Sequence, residues 1–232
     1  MTMVLALARA ELKLLLRNKT VAVSSLLMPI LVGLWAGSTL PDDAPPQAWA
    51  ITLCLQLLMV LGFTVYFAVT AALASRREDL YLKRLRSGEA SDAVILAGLL
   101  TPVVLLGVLQ STLMPVISIS MGAPVPEPLP LLGALVLGTG LCLAAGVATS
   151  GRTSSSEQAQ ITTLPMFLGL MGGVLVTVVG PMWLLLPGGG IGGLIHHAVT
   201  GEGVPLSSAA SLLVWIALFS VLAKSWFRWE PR

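Results

Sequence analysis

Residues 47–75 read QAWAITLCLQLLMVLGFTVYFAVTAALAS, and residues 76–92 continue without a break as RREDLYLKRLRSGEASD. The first stretch contains no Asp, Glu, Lys or Arg; the second crowds charges of both signs. A helix needs about 20 apolar residues, at about 1.5 Å each, to cross about 30 Å of hydrocarbon. Residues 47–75 exceed that length, which leaves room for tilt. The change at Arg76 reads as the point where a spanning helix leaves the bilayer.

Five further apolar runs flank this pair. They cover residues 20–40, 93–120, 129–151, 161–181 and 207–224. Pro41 to Pro46 separates the first run from the second, and the proline-rich turn Gly122 to Pro128 separates the third from the fourth. The polar loop Arg152 to Gln160 precedes the fifth. Composition agrees with a membrane chain: 56% of residues are hydrophobic and 10% charged, against roughly 25% charged in soluble domains. The expected fold is all-α: a single polytopic transmembrane domain over residues 1–232 with six transmembrane helices. Residues 182–206 are apolar but broken by Pro187 and by Gly188-Gly189-Gly190-Ile191-Gly192-Gly193. They suit a re-entrant outer segment before the last span, with the glycines as a flexible hinge.

The basic residues set the orientation. Arg9, Lys13, Arg17 and Lys19 precede the first run. Arg76, Arg77, Lys83, Arg84 and Arg86 lie in the loop 76–92, Arg152 in the next basic loop, and Lys224, Arg228 and Arg232 at the end. All 13 Lys and Arg fall on one side of a six-span chain. The opposite side carries Asp42, Asp43, Glu127 and Glu202. The positive-inside rule places both termini and both basic loops in the cytoplasm. Trp226 and Trp229 beside Lys224 and Arg228 suit an interfacial anchor. Within residues 1–19, Arg9, Lys13 and Arg17 recur every four positions, as on an amphipathic helix lying on anionic lipid.

Several kinds of chemistry are missing. No span interior carries an ionisable Lys, Arg, Asp or Glu, which argues against a proton-coupled antiporter and a voltage sensor. None of the four lysines, Lys13, Lys19, Lys83 and Lys224, sits in a phosphate-binding G-x-x-x-x-G-K-[ST] loop. Gly188, Gly190 and Gly193 satisfy G-x-G-x-x-G, but without a preceding strand the motif does not read as a dinucleotide site. His196 and His197 are adjacent, so on a helix they point about 100° apart and make a poor shared metal site. Cys54 and Cys142 each sit inside an apolar run and read as packing residues. A net charge of +2 argues for no nucleic acid partner. No catalytic set or metal site is legible.

Neutral polar residues are present. Thr52, Gln56, Thr64, Tyr66 and Thr70 lie in the second span, and Gln110, Ser111 and Thr112 in the third. They read either as hydrogen-bonding glue between helices or, for Thr52, Gln56 and Gln110, as the lining of a solute pathway. Ala134, Gly138, Cys142, Gly146 and Ser150 recur every four residues, and Gly169 and Gly173 form a G-x-x-x-G pair. Both sets suit close helix packing, within one subunit or between two.

In their order along the chain these parts resemble the membrane (permease) subunit of an ABC exporter of the type-2 permease class. Ala10-Glu11-Leu12-Lys13 through Met28-Pro29-Ile30 is similar to that family's amphipathic entry helix running into its first span. Arg77 to Arg86 is similar to its cytoplasmic coupling loop, and Pro181 to Pro205 stands where the family has a re-entrant outer element. Family members often have Gly-Thr after the loop glutamate, where this chain has Leu80-Tyr81, and often a proline after the last basic residue, where it has Gly88-Glu89-Ala90.

The resemblance implies a second permease subunit, as homodimer or close paralogue, and two copies of a cytoplasmic ABC ATPase that binds ATP and Mg. This chain would hold no cofactor of its own. The resemblance gives Arg77, Glu78, Asp79, Leu82, Lys83, Arg84, Leu85 and Arg86 the task of coupling to the ATPase; a loop that serves only as a topology signal is the alternative. The expected activity is export of an apolar or amphipathic substrate (a drug, antimicrobial compound or lipid) from a bacterial cytoplasm or inner leaflet. A non-transporting membrane anchor or scaffold is the other reading.

Overall fold

A computed structural model describes residues 2–17, 19, 23, 27–41, 43–88, 91–176 and 184–230. Residues 20–22 and 24–26 of the expected first span, 177–181 of the fifth and 182–183 of the outer segment lie outside the described residues. So do Asp42, Glu89, Ala90 and Arg232. The described residues form helices and no strand: α1 (Thr2–Arg17), α2 (Met28–Ser38), α3 (Pro46–Glu78), α4 (Tyr81–Arg86), α5 (Asp92–Ser120), α6 (Pro128–Ser150), α7 (Ala159–Thr162), α8 (Leu164–Val176), α9 (Gly189–Thr200) and α10 (Pro205–Trp226).

Helix starts follow from local chemistry. Prolines stand in the first turn of α2, α3, α6 and α10, where a missing N–H leaves nothing unpaired. α5 instead begins behind Ser91, whose hydroxyl accepts from the Val94 N–H. α9 ends on Gly201 at φ 74°, a left-handed terminus that glycine adopts without a Cβ clash.

Among the described residues four helices, α3, α5, α6 and α10, are long and apolar enough to cross a membrane. α2 and residues 159–175 are shorter apolar helices at the places of the expected first and fifth spans. α3 is the hub. α2, α5, α6, α8 and α9 all pack against it, and Leu57, Leu58, Leu61, Val65 and Tyr66 along it have no exposed surface. Residues Val60–Phe67 in its middle adopt π-helical geometry, a local widening common at functional sites.

The glycine run behaves differently from the hinge expected of it. Gly189 to Gly193 form the first turns of α9, a buried helix too short to span. A Cβ at Gly188 would overlap the Leu170 backbone, and one at Gly173 would overlap the backbone of Gly188 and Gly189. At Gly190 it would lie 2.6 Å from the Ser208 carbonyl oxygen. The glycines are there for close approach of α8, α9 and α10, and packing replaces the freedom they would have in a loop.

α1 lies across α5, with Leu7 seated against Gly98. Leu7 and Glu11 are buried, while Arg9, Lys13 and Arg17 are exposed.

Candidate functional site

The basic end of α3 gathers most of the residues expected to couple. Arg76 and Arg77 occupy its last turn, where cations complement the helix dipole. Arg76 donates from Nε and Nη2 to the two carboxylate oxygens of Glu11, both at 2.8 Å, tying α1 to α3 by a bidentate pair. Burial works against the Arg76 charge, but the Glu11 hydrogen bonds outweigh it and hold the guanidinium above its ordinary pKa. Arg77 is turned inward. Its Nη2 donates to the Ser150 carbonyl at 2.8 Å and to the Thr153 carbonyl, so it caps the C-terminus of α6.

The chain then reverses. Leu80 takes φ 57°, the left-handed region, and α4 follows at once. Leu82 is fully buried in a cluster with Val69, Leu73, Ile95 and Leu99. It fastens α4 to α3 and α5. Glu78, Asp79, Leu80, Lys83, Arg84 and Arg86 are exposed, and Leu85 is half-buried. Arg84 donates to the Asp79 carbonyl at 2.6 Å, which closes the turn on itself. Arg86 pairs with Asp92 at 3.3 Å.

The residues after α10 complete this end. Lys83 pairs with Glu230 at 3.3 Å, and the Arg86 guanidinium lies 5.2 Å from the Trp229 ring centre. Phe227 and Trp229 pack against the Leu82 cluster. Nothing in the local pattern signals these contacts, because the partners are far apart in sequence.

Deeper in the bundle the polar groups are neutral. Gln56, with no exposed surface, donates to the Gly33 carbonyl at 2.9 Å and accepts from the Ser118 hydroxyl at 2.8 Å, linking α2, α3 and α5. Thr64, within the π-helical segment, donates to Gln110 Oε1 at 2.5 Å. Thr52 is buried on the same helix. Thr70 bonds to the Gly146 carbonyl at 3.3 Å, and Tyr66 pairs with the Thr149 hydroxyl at 3.1 Å. Gly146 lies against Val69 and the Tyr66 carbonyl, and Gly138 against Leu61, so the small stripe of α6 faces α3. Ala134 and Cys142 are buried with it, and Gly169 of α8 packs on Pro187.

One cavity opens beside the π-helical segment. It measures about 310 Å³ and is lined by Gly62, Phe63, Tyr66 and Phe67 of α3 with Thr163 and Phe167 at the start of α8. The Phe63 and Phe167 rings stand 5.0 Å apart at 56°, a favourable tilted contact. Nothing in the local sequence pairs Phe63 with Phe167, because only the fold brings α3 and α8 together there. His196 and His197 bond locally, to Thr200 and to the Glu202 carbonyl. Among the described residues no cluster could hold a metal.

The family model described as "ABC-2 type transporter" matches residues 2–184, which include the entry helix, the hub helix and the basic turn. No curated protein matches the chain.

Proposed function

The chain belongs to the ABC-2 type transporter family and is a membrane subunit of an ABC transporter; on that premise we propose that it is the permease of an ATP-driven exporter. It carries an apolar or amphipathic substrate out of the cytoplasm or inner leaflet by alternating access. Two such subunits, identical or closely related, work with two copies of a cytoplasmic ATPase that binds ATP and Mg. Both termini and α4 face that ATPase, in a bacterial plasma membrane.

The observation that carries this reading is the construction of α4. A six-residue helix holds no shape of its own in water. Here it is fixed from beneath by Leu82 in the α3–α5 cluster and from the side by the Lys83–Glu230 and Arg86–Trp229 contacts, and the turn leading into it is held by the Leu80 N–H on the Arg77 carbonyl. What it leaves outward is Leu80 with Glu78, Asp79, Lys83 and Arg84: one apolar knob ringed by charge, the composition of a small docking patch. A push on that patch passes through Leu82 and Arg77 into the ends of α3, α5 and α6. The aromatic cavity beside Phe63 and Phe167 supports an apolar cargo, since a flat ring face accepts apolar groups of many shapes.

The test is ATPase retention and substrate-stimulated hydrolysis by the reconstituted Leu80→Asp/Arg84→Glu variant. Each exposed charge contributes about 0.2–1 kcal/mol, but a carboxylate buried against an apolar pocket is desolvated without a partner. Retention falls at least about tenfold while the inserted protein stays folded. Wild-type retention and stimulation would reduce this turn to a topology signal.

A further inference from the structure

Another cavity lies away from the aromatic one. It measures about 500 Å³ and sits between α1, α3 and α5. Its walls are Ala68 and Ala72 of α3 and Leu99, Pro102 and Val103 of α5. Its mouth carries Arg17, Ser75 and the Glu11–Arg76 pair. From Arg76 down to Ala68 the slot runs eight residues of helix, about 12 Å. It therefore begins at the level of the charged groups and ends among buried apolar side chains.

The charges at the mouth do not balance. Arg76 and Glu11 satisfy each other. Arg17, on the next turn but one of α1, makes no ion pair among the described residues. One cation is left over above an apolar slot. A second cavity of about 400 Å³ adjoins the first, shares Leu14 and Arg76 with it, and reaches Asp79 and, on α4, Tyr81 and Arg84, so that cations still outnumber carboxylates across the two. The apolar molecule a bilayer offers to such a slot is an acyl chain, and the charge that complements the mouth is a phosphate. Basic pockets between helices at the cytoplasmic face are where anionic headgroups bind.

We propose that this cavity is a binding site for one anionic phospholipid, its phosphate on Arg17 and its acyl chain between α1, α3 and α5. The lipid holds α1 against the hub, and its headgroup stands next to α4. Only the naming of the leaflet rests on the proposed orientation; binding itself requires neither that orientation nor the ATPase.

The experiment uses the full chain purified in mild detergent, titrated with phosphatidylglycerol or phosphatidylcholine and read by native mass spectrometry. One phosphatidylglycerol binds per chain, about five-fold more tightly than phosphatidylcholine, from about 1 kcal/mol for one basic side chain. Arg17→Gln removes that preference. Ala72→Trp fills the slot and abolishes binding of both lipids. Lys13→Gln, exposed on the same helix but outside the cavity, changes nothing. Inorganic phosphate does not compete, because it lacks the chain.

Equal binding of the two lipids, retention by Ala72→Trp, or a Lys13→Gln loss as large as that of Arg17→Gln would overturn the site in favour of diffuse surface charge. Competition by phosphate would make it a simple anion site and overturn the lipid assignment. If Ala72→Trp does not fold, the contrast between Arg17→Gln and Lys13→Gln decides alone. None of these failures touches the transport reading, which stands on ATPase retention.

Discussion

α3 and α10 have nearly the same mean hydropathy in their most apolar stretches, 2.2 and 2.1, yet 78% of that stretch is buried in α3 and 11% in α10. In water two such helices would both be buried. In a bilayer an apolar side chain gains little by leaving lipid for protein, so hydropathy reports membrane residence and not position in the bundle. Position is written in other residues. α3 carries Gln56, Thr64 and Thr70, each bonded to a neighbouring helix. On α10 the Ser207, Ser208 and Ser225 hydroxyls bond to carbonyls about one turn back, Ser211 reaches the Leu184 carbonyl at 2.7 Å but no neighbouring helix, and Leu213, Val214 and Val221 stay exposed. The open apolar face of α10 suits lipid or the proposed second permease subunit.

The largest effect that sharpens this contrast comes from the seam between α3 and α6. A Cβ at Gly146 would lie 2.8 Å from Val69 Cγ1 and 3.1 Å from the Tyr66 carbonyl oxygen. Neither atom is the free end of a flexible chain, so the helices must part. Gly146→Leu is expected to destabilise by about 3 kcal/mol, read as a lowered unfolding temperature in detergent. Leu213→Ala on α10 should stay within about 0.5 kcal/mol. Equal shifts would break the distinction between hub and rim.

A smaller effect tests the neutral hydrogen bonds. Gln56→Leu keeps the volume but leaves the Gly33 carbonyl and the Ser118 hydroxyl without their partner. Interhelical bonds in membranes are worth about 0.6 to 2 kcal/mol, so a loss of about 1 kcal/mol is expected. Substrate-dependent ATPase stimulation in the same variant separates the two readings of this residue. Unchanged stimulation assigns Gln56 to glue, and a selective loss assigns it to the pathway.

The sequence made the membrane class legible through the apolar runs, and the basic turn through the change at Arg76. Other features were out of reach, each for a physical reason. Leu82 and Leu85 share one loop and one residue type. Only the tertiary fold buries the first completely and the second by half. Arg77 looks like any loop arginine until α6 ends beside it. The run Gly188 to Gly193 has the composition of a hinge, and what makes it a packed helix start is the backbone of α8 and α10 lying against it. The π-helical segment leaves no mark, since its apolar residues satisfy an α-helical reading equally well.

The smallest stability effect lies where the hub helix ends. Leu80 holds φ 57°, a conformation that costs a residue with a Cβ about 1–2 kcal/mol relative to right-handed backbone. Family members often place glycine at this turn. Leu80→Gly removes the clash but adds about 0.5–1 kcal/mol of backbone entropy to the unfolded chain. The two nearly cancel, so folding stability should rise by less than about 1 kcal/mol. The side chain is 45% exposed, so little packing is lost. If strain here serves only to reverse the chain, the glycine variant works as well as wild type. If Leu80 is kept because it is the apolar knob of the docking patch, the same variant is slightly more stable and retains the ATPase less well. Unfolding temperature and ATPase pull-down on one preparation separate these outcomes. A gain in the first with a several-fold drop in the second is expected, and unaltered retention would remove Leu80 from the patch.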